Sequence, residues 1–104
     1  MSYSIQWSDK AKEDVNENLS YLEEEWGEIT ASKFLDRLDV VLEAIGESPT
    51  TFLRIDKTRK IHKFTVNQRI TLYYQLEGTT ISLITFWYGR KDDKKLNKVL
   101  ENKA

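Results

Sequence analysis

Residues 68–91, QRITLYYQLEGTTISLITFWYGRK, form the longest run of β character in the chain and end in concentrated positive charge. Ile70, Leu72, Tyr74 and Leu76 alternate with Thr71, Tyr73 and Gln75, the period-two pattern of a strand. Glu77 and Gly78 supply turn chemistry, and a β-branched and aromatic run resumes from Thr80 to Tyr88. The stretch therefore reads as a hairpin. Its second strand is apolar at both parities, Leu83 and Trp87 on one and Ile84 and Phe86 on the other, which suits a central strand covered on both faces. Trp87 reads as core, whereas Tyr88, at the strand end, is expected to be exposed. Tyr73 and Tyr74 must point to opposite faces.

Working outward, Arg59 to Val66 has extended character and joins the hairpin through a tight connection at Asn67, a residue that tolerates the left-handed conformation. Before it, Thr51 to Thr58 reads as a loop entered through Ser48, Pro49 and Thr50. Two helices precede the loop. Ser8 is a good N-cap, and Ala11, Val15, Leu19, Leu22 and Trp26 place one apolar stripe on a helix from about Asp9 to Trp26, ended by Gly27. Thr30 is the expected cap of a second helix running to about Ile45, with Phe34, Leu35, Leu38, Val41, Leu42 and Ile45 at helical spacing and Gly46 at its end. Tyr3, Ile5 and Trp7 alternate as an opening half-buried strand, and Leu96, Val99 and Leu100 allow a short C-terminal helix to dock. The expected fold is α+β: a helical hairpin on an antiparallel-rich four-stranded sheet, in the order strand, helix, helix, three strands, short helix. Leu19, Leu22, Leu38, Val41, Leu42, Ile45, Leu72, Tyr74, Leu83 and Phe86 are the expected core.

The 104 residues suit a single domain, 1–104, with one modest core. The absence of cysteine removes disulfides, thiol nucleophiles and cysteine-zinc sites and points to a reducing compartment. With neither a signal-peptide pattern nor about 18 consecutive apolar residues, a soluble cytoplasmic protein is expected. Only four glycines and one histidine exclude a glycine-rich phosphate loop and a histidine metal motif, so no cofactor is expected. Net charge is −1, but it is split: residues 1–47 carry 12 acidic and 4 basic side chains, −8, and residues 48–104 carry 5 acidic and 12 basic, +7. A basic half of this kind suits a polyanion or an acidic partner.

The strand-helix-helix-strand layout, the opening SIQWSDKAKEDV, the exit ESPTTF, the strand ITLYYQL and the terminal ISLITFWYGRKDDKKL together resemble the RelE/ParE superfamily of bacterial type II toxins. The resemblance covers nearly the whole chain. It implies a growth inhibitor, of the kind linked to plasmid stabilisation, held silent by a cognate antitoxin, with a toxin–antitoxin heterotetramer as a possible assembly. The superfamily includes nucleases that cut messenger RNA on the ribosome and proteins that poison DNA gyrase, so whether this chain is an enzyme is left open. A non-toxic remnant that still binds antitoxin is a third reading.

Cleaving RNA through a 2′-hydroxyl needs a base, a group to protonate the leaving oxygen and cations for the charged phosphorane. Lys60 and Lys63 resemble the second-strand cations of the nuclease branch, and Arg90 resembles the arginine after its last strand. Thr71 stands where a third-strand arginine would align, with Arg69 two residues earlier, and no tyrosine follows Tyr88. His62 could serve as a base near neutral pH. Arg90, Arg69, Lys60 and His62 are thus the catalytic candidates if the chain is a nuclease. Arg59, Lys63, Tyr88, Lys91, Lys94 and Lys95 are the candidates for binding a nucleic acid or other target, since cations beside an aromatic ring can hold phosphates and stack bases. The departures tilt the reading toward ParE-like action on gyrase.

Overall fold

The computed structural model describes residues 3–89 and 93–103. In chain order the elements are β1 (Ser4–Trp7), α1 (Asp9–Trp26), α2 (Glu28–Glu47), β2 (Arg54–Asp56), β3 (Ile61–Thr65), β4 (Ile70–Glu77), β5 (Thr80–Tyr88) and α3 (Asp93–Lys103). The strands form one sheet in the order β1-β5-β4-β3-β2, with β1 parallel to β5 and every other pair antiparallel. The expected α+β class is observed, with one strand more than the four read from sequence. Arg54–Asp56, inside the stretch read as a loop, pairs with β3 at the sheet edge. Three residues with only one β-branched member give too short a pattern to read.

Ser8 caps α1 as expected, its hydroxyl oxygen accepting from the Ala11 N–H at 3.0 Å. Gly27 alone joins α1 to α2, at φ 94° and ψ 170°, a region essentially restricted to glycine. Because the link is one residue, α2 starts at Glu28, and Thr30 lies inside its first turn rather than capping it. Gly46 is likewise within α2, which ends one residue later. Asn67 tightens the β3–β4 turn by a route other than a left-handed backbone: its side-chain oxygen accepts from the Arg69 and Ile70 N–H groups at 2.8 and 2.9 Å. Gly78, at φ 61°, opens the two-residue β4–β5 turn, where a side chain would be strained.

The sheet is covered on both faces. Toward the hairpin, Val15 and Leu22 of α1 and Phe34, Leu38, Val41 and Ile45 of α2 pack on Ile70, Leu72 and Tyr74 of β4 and Ile81, Leu83 and Phe86 of β5. On the other face Ile61, Tyr73 and Ile84 are buried with Leu100 of α3, flanked by Trp87, Leu96 and Val99. Tyr73 and Tyr74 do divide between the faces. The alternation of β5 does not run through, however: Tyr73 opposes Thr85 while Tyr74 opposes Leu83, so Ile84 is an extra, bulged residue. Leu83 and Phe86 therefore share the hairpin face, and Ile84 and Trp87 share the other. Leu19 and Leu42, read as core, are only partly buried beside it.

A second strand-like service comes from α1. β1 ends opposite Leu83, yet β5 continues to Tyr88. Beyond that point Ser8 donates to the Ile84 carbonyl at 3.0 Å, Asp14 accepts from the Phe86 N–H at 3.1 Å and from the Thr85 hydroxyl, and the Asn18 amide donates to the Phe86 carbonyl at 3.1 Å. Asp14 and Asn18, one helical turn apart, thus satisfy edge groups that burial would otherwise leave without water.

α3 is held by its three apolar side chains and by Arg59, whose Nη1 donates to the Leu100 carbonyl at 3.0 Å while its Nε and backbone N–H reach Asp56 at 2.8 and 2.9 Å. Those bonds, the backbone one first, hold the Asp56 carboxyl below its ordinary value. The clamp's contribution is therefore present above the unfolded carboxylate value, near 3.9, and lost as pH falls through the lower folded value.

Three outcomes are expected. Leu22→Ala should cost about 2–5 kcal/mol in urea unfolding, and the half-buried Leu42→Ala clearly less. Arg59→Ala should speed amide exchange in α3 about tenfold, the effect of one charge-assisted bond, and leave β5 unchanged. Asp56→Asn should flatten the acid side of the stability–pH profile below about pH 4.

Candidate functional site

Among the described residues, the basic side chains singled out from sequence do not all meet at one place. Lys63 follows His62 on β3, and adjacent strand residues point to opposite faces. On the α3 face, Lys63, Thr71, Tyr73, Trp87 and Leu96 help line a cavity of about 470 Å³. Thr71 occupies the wall position where the nuclease pattern would set an arginine. Arg69 also borders this cavity, but its guanidinium carbon lies 4.1 Å from the centre of the Trp26 ring, at the end of α1.

On the hairpin face, His62 is buried, 4% exposed, and stacks on Tyr74 with ring centres 5.3 Å apart. Its Nδ1 lies 3.0 Å from the Phe52 carbonyl oxygen; because that oxygen can only accept, Nδ1 carries the hydrogen. Tyr74 donates to the Pro49 carbonyl at 2.7 Å, and burial pushes its phenol well above the ordinary value. His62 thus ties the β2 approach to the sheet, a position unlike the surface setting its sequence neighbours suggest. Lys60 is not on a strand as read: β3 begins at Ile61, and Lys60 sits in the preceding turn at φ 56°.

Arg59 is committed to Asp56 and α3, as described above. Lys94 and Lys95 are exposed on α3, and Lys95 borders a separate cavity of about 440 Å³ that includes Lys10, Asp14 and Glu17. Arg90 and Lys91 lie outside the described residues. Among the described residues there is no grouping of His, Asp and Glu suited to a metal ion, and no helix is long and apolar enough to cross a membrane.

Tyr88, expected to be exposed, is half-buried against the hairpin core and joins an aromatic group in company the sequence did not suggest. It meets Tyr21 edge to face, with ring centres 4.9 Å apart. Burial and then the neighbouring Tyr21 raise its phenol above the ordinary value. Trp26, 53% exposed, and Tyr21, 45% exposed, come from the last turns of α1, Arg69 from the β3–β4 turn and Tyr88 from the end of β5. Trp26 had read as the end of the buried stripe. Its spacing is right, but at the end of α1 the ring meets the Arg69 guanidinium and not the core, a fact no helical period contains.

Against known proteins, the model of the ParE toxin of the type II toxin-antitoxin system parDE matches residues 5–93. No curated protein matches the chain. Among solved structures, a chain of the chromosomal ParDE TA system from P. aeruginosa superposes with a TM-score of 0.72 at 13% identity, covering 86% of this chain and 98% of that one. A chain of the heterotetrameric YoeB-YefM toxin-antitoxin complex from Staphylococcus aureus gives a TM-score of 0.54 at 14% identity, covering 86% and 100%. The structural likenesses speak for the fold, and the family match, extending over most of the sequence, carries the assignment: the chain belongs to the ParE toxin family of type II toxin-antitoxin systems.

Proposed function

We propose that this toxin arrests growth by binding DNA gyrase rather than by cutting messenger RNA, and that an antitoxin encoded beside it keeps it silent. One observation carries the choice of target: among the described residues, which leave out Arg90, the cations a nuclease would gather are divided between the two sheet faces. Lys63 and Arg69 border the cavity on the α3 face, where the Arg69 guanidinium is drawn onto Trp26, whereas Lys60 and His62 border a separate one on the hairpin face. A phosphorane needs its cations within reach of one phosphate. Gyrase contact falls to the exposed Tyr21 and Trp26 with the half-buried Arg69 and Tyr88 beside them, since tryptophan, tyrosine and arginine dominate the energetics of protein interfaces.

The antitoxin reading draws support from the family and from the +7 charge of residues 48–104, which favours an acidic partner. The two toxin–antitoxin systems among the structural neighbours, one of them heterotetrameric, make a toxin–antitoxin heterotetramer the assembly to test for.

Induction of the chain alone, followed by mapping of message 5′ ends and of double-strand DNA breaks, tests the target. Breaks and a damage response without in-codon cuts are expected, and Trp26→Ala with Arg69→Ala should relieve the arrest. In-codon cuts abolished by Lys63→Ala or Arg90→Ala would overturn the reading in favour of a ribosome-dependent nuclease, and no arrest at all would favour a non-toxic remnant. Co-purification with the product of the adjacent gene, weaker at high salt, is the expected result for the antitoxin.

A further inference from the structure

The second basic cavity, on the hairpin face near the β2 edge, has a composition that the toxin reading does not use. It is about 440 Å³ and is lined by Thr50, Arg54, Lys60, His62 and Leu76. Three basic residues from three segments converge there: Arg54 from β2, Lys60 from the β2–β3 turn and His62 from β3. No acidic residue lines it. Like charges brought together repel, and an anion placed between them relieves that repulsion.

Local structure keeps the nearby acid away. Arg54 stands opposite His62, and simple alternation would put Asp56 on the same face as Arg54. The register shift between Arg54 and Asp56 interrupts that alternation, and Asp56 is engaged by Arg59 instead. Lys60 is the one non-glycine residue at positive φ among the described residues. A lysine held in the left-handed region where glycine would be relaxed marks a side chain wanted for itself. The ring of His62 is oriented by Phe52 through Nδ1–H, which leaves Nε2 as an acceptor, suited to the hydroxyl of a ligand's P–OH group.

We propose that this cavity binds the phosphate groups of a small phosphorylated molecule, with Arg54 and Lys60 supplying charge, Thr50 and His62 hydrogen bonds, and Leu76 an apolar wall for the carrier. Two or more linked phosphates fit this arrangement better than one, because the cationic groups stand around a cavity larger than a single phosphate. The site lies on the opposite sheet face from the Lys63 cavity and is independent of the toxin's target.

Titration of the isotope-labelled full chain with inorganic pyrophosphate, orthophosphate and ADP, followed by amide chemical shifts, tests the proposal. Pyrophosphate and ADP should shift signals at Thr50, Arg54, Lys60 and His62, with orthophosphate weaker. Arg54→Gln and Lys60→Gly should each weaken pyrophosphate binding about five- to tenfold, the effect of losing a charge-assisted contact. Lys60→Gly relieves the left-handed backbone, so its unfolding midpoint should not fall, which separates lost binding from lost folding. His62→Asn, which can still donate to the Phe52 carbonyl, should weaken binding without unfolding the chain. Lys33→Gln, on the exposed surface of α2, should change nothing. Shifts scattered over the basic surface, equal affinity in the Arg54 and Lys60 variants, or a single-stranded oligonucleotide that shifts these signals at lower concentration than ADP would overturn it.

Discussion

The contact on which the architecture turns is that of the Asp14 carboxylate with β5. A central strand that outruns its neighbour leaves backbone groups without partners, and in a buried position each such group costs about 1–3 kcal/mol. Here the neighbour β1 stops opposite Leu83, and the edge beyond is taken over by a helix. Asp14 receives the Phe86 N–H and the Thr85 hydroxyl, and Lys10, 2.8 Å away, balances its charge. Asn18, one turn on, takes the Phe86 carbonyl. These bonds sit beside the bulge at Ile84, and the bulge decides which side of the sheet every later residue of β5 faces. Phe86 consequently stacks on Trp7 in the hairpin core, and Trp87 turns to the α3 face.

That turn shapes the surfaces from which function is argued. With Trp87 on the α3 face, a bulky ring borders the cavity where Lys63 and Thr71 stand. Tyr88 then falls beside Tyr21 at the end of α1, where Arg69 covers Trp26. Among the described residues, the cations of the second half of the sequence divide between the two sheet faces, Lys63 and Arg69 on one cavity and Arg54 and Lys60 on another. Several modest contact areas of this kind are what the proposed gyrase-binding role would use.

Much of the fold could be read from residue order because its signals are local. The Ser8 cap, the Gly27 break, the two helical stripes and the Gly78 hairpin each depend on neighbours within a few positions. The bulge could not be read, because Thr80–Tyr88 is apolar at both parities and a slip in phase leaves no mark on such a pattern. Asp14 and Asn18 were hidden for a different reason: in a helix that also carries Glu13, Glu17 and three consecutive glutamates, one more carboxylate looks solvated. Its partners lie about seventy residues away, at Thr85 and Phe86. The candidate site was legible as a set of cations and only partly as an arrangement. Arg59 proved to clamp a helix, His62 to be buried on a carbonyl, and Lys60 to belong to a turn, since a positive charge in a β-rich stretch does not say which face it will take.

The most direct test of this account is the exchange rate of the Phe86 amide proton in the wild-type chain and in Asp14→Ala, with Trp87 fluorescence recorded alongside. If Asp14 pins the bulged strand, the Phe86 amide is protected in the wild type and loses at least about tenfold of that protection in the variant, as expected for a buried donor left without its acceptor. The Trp87 signal should change with it, while the amides of β3 keep theirs. Equal protection of Phe86 in both proteins would contradict the account, since the strand edge would then be held by something other than α1.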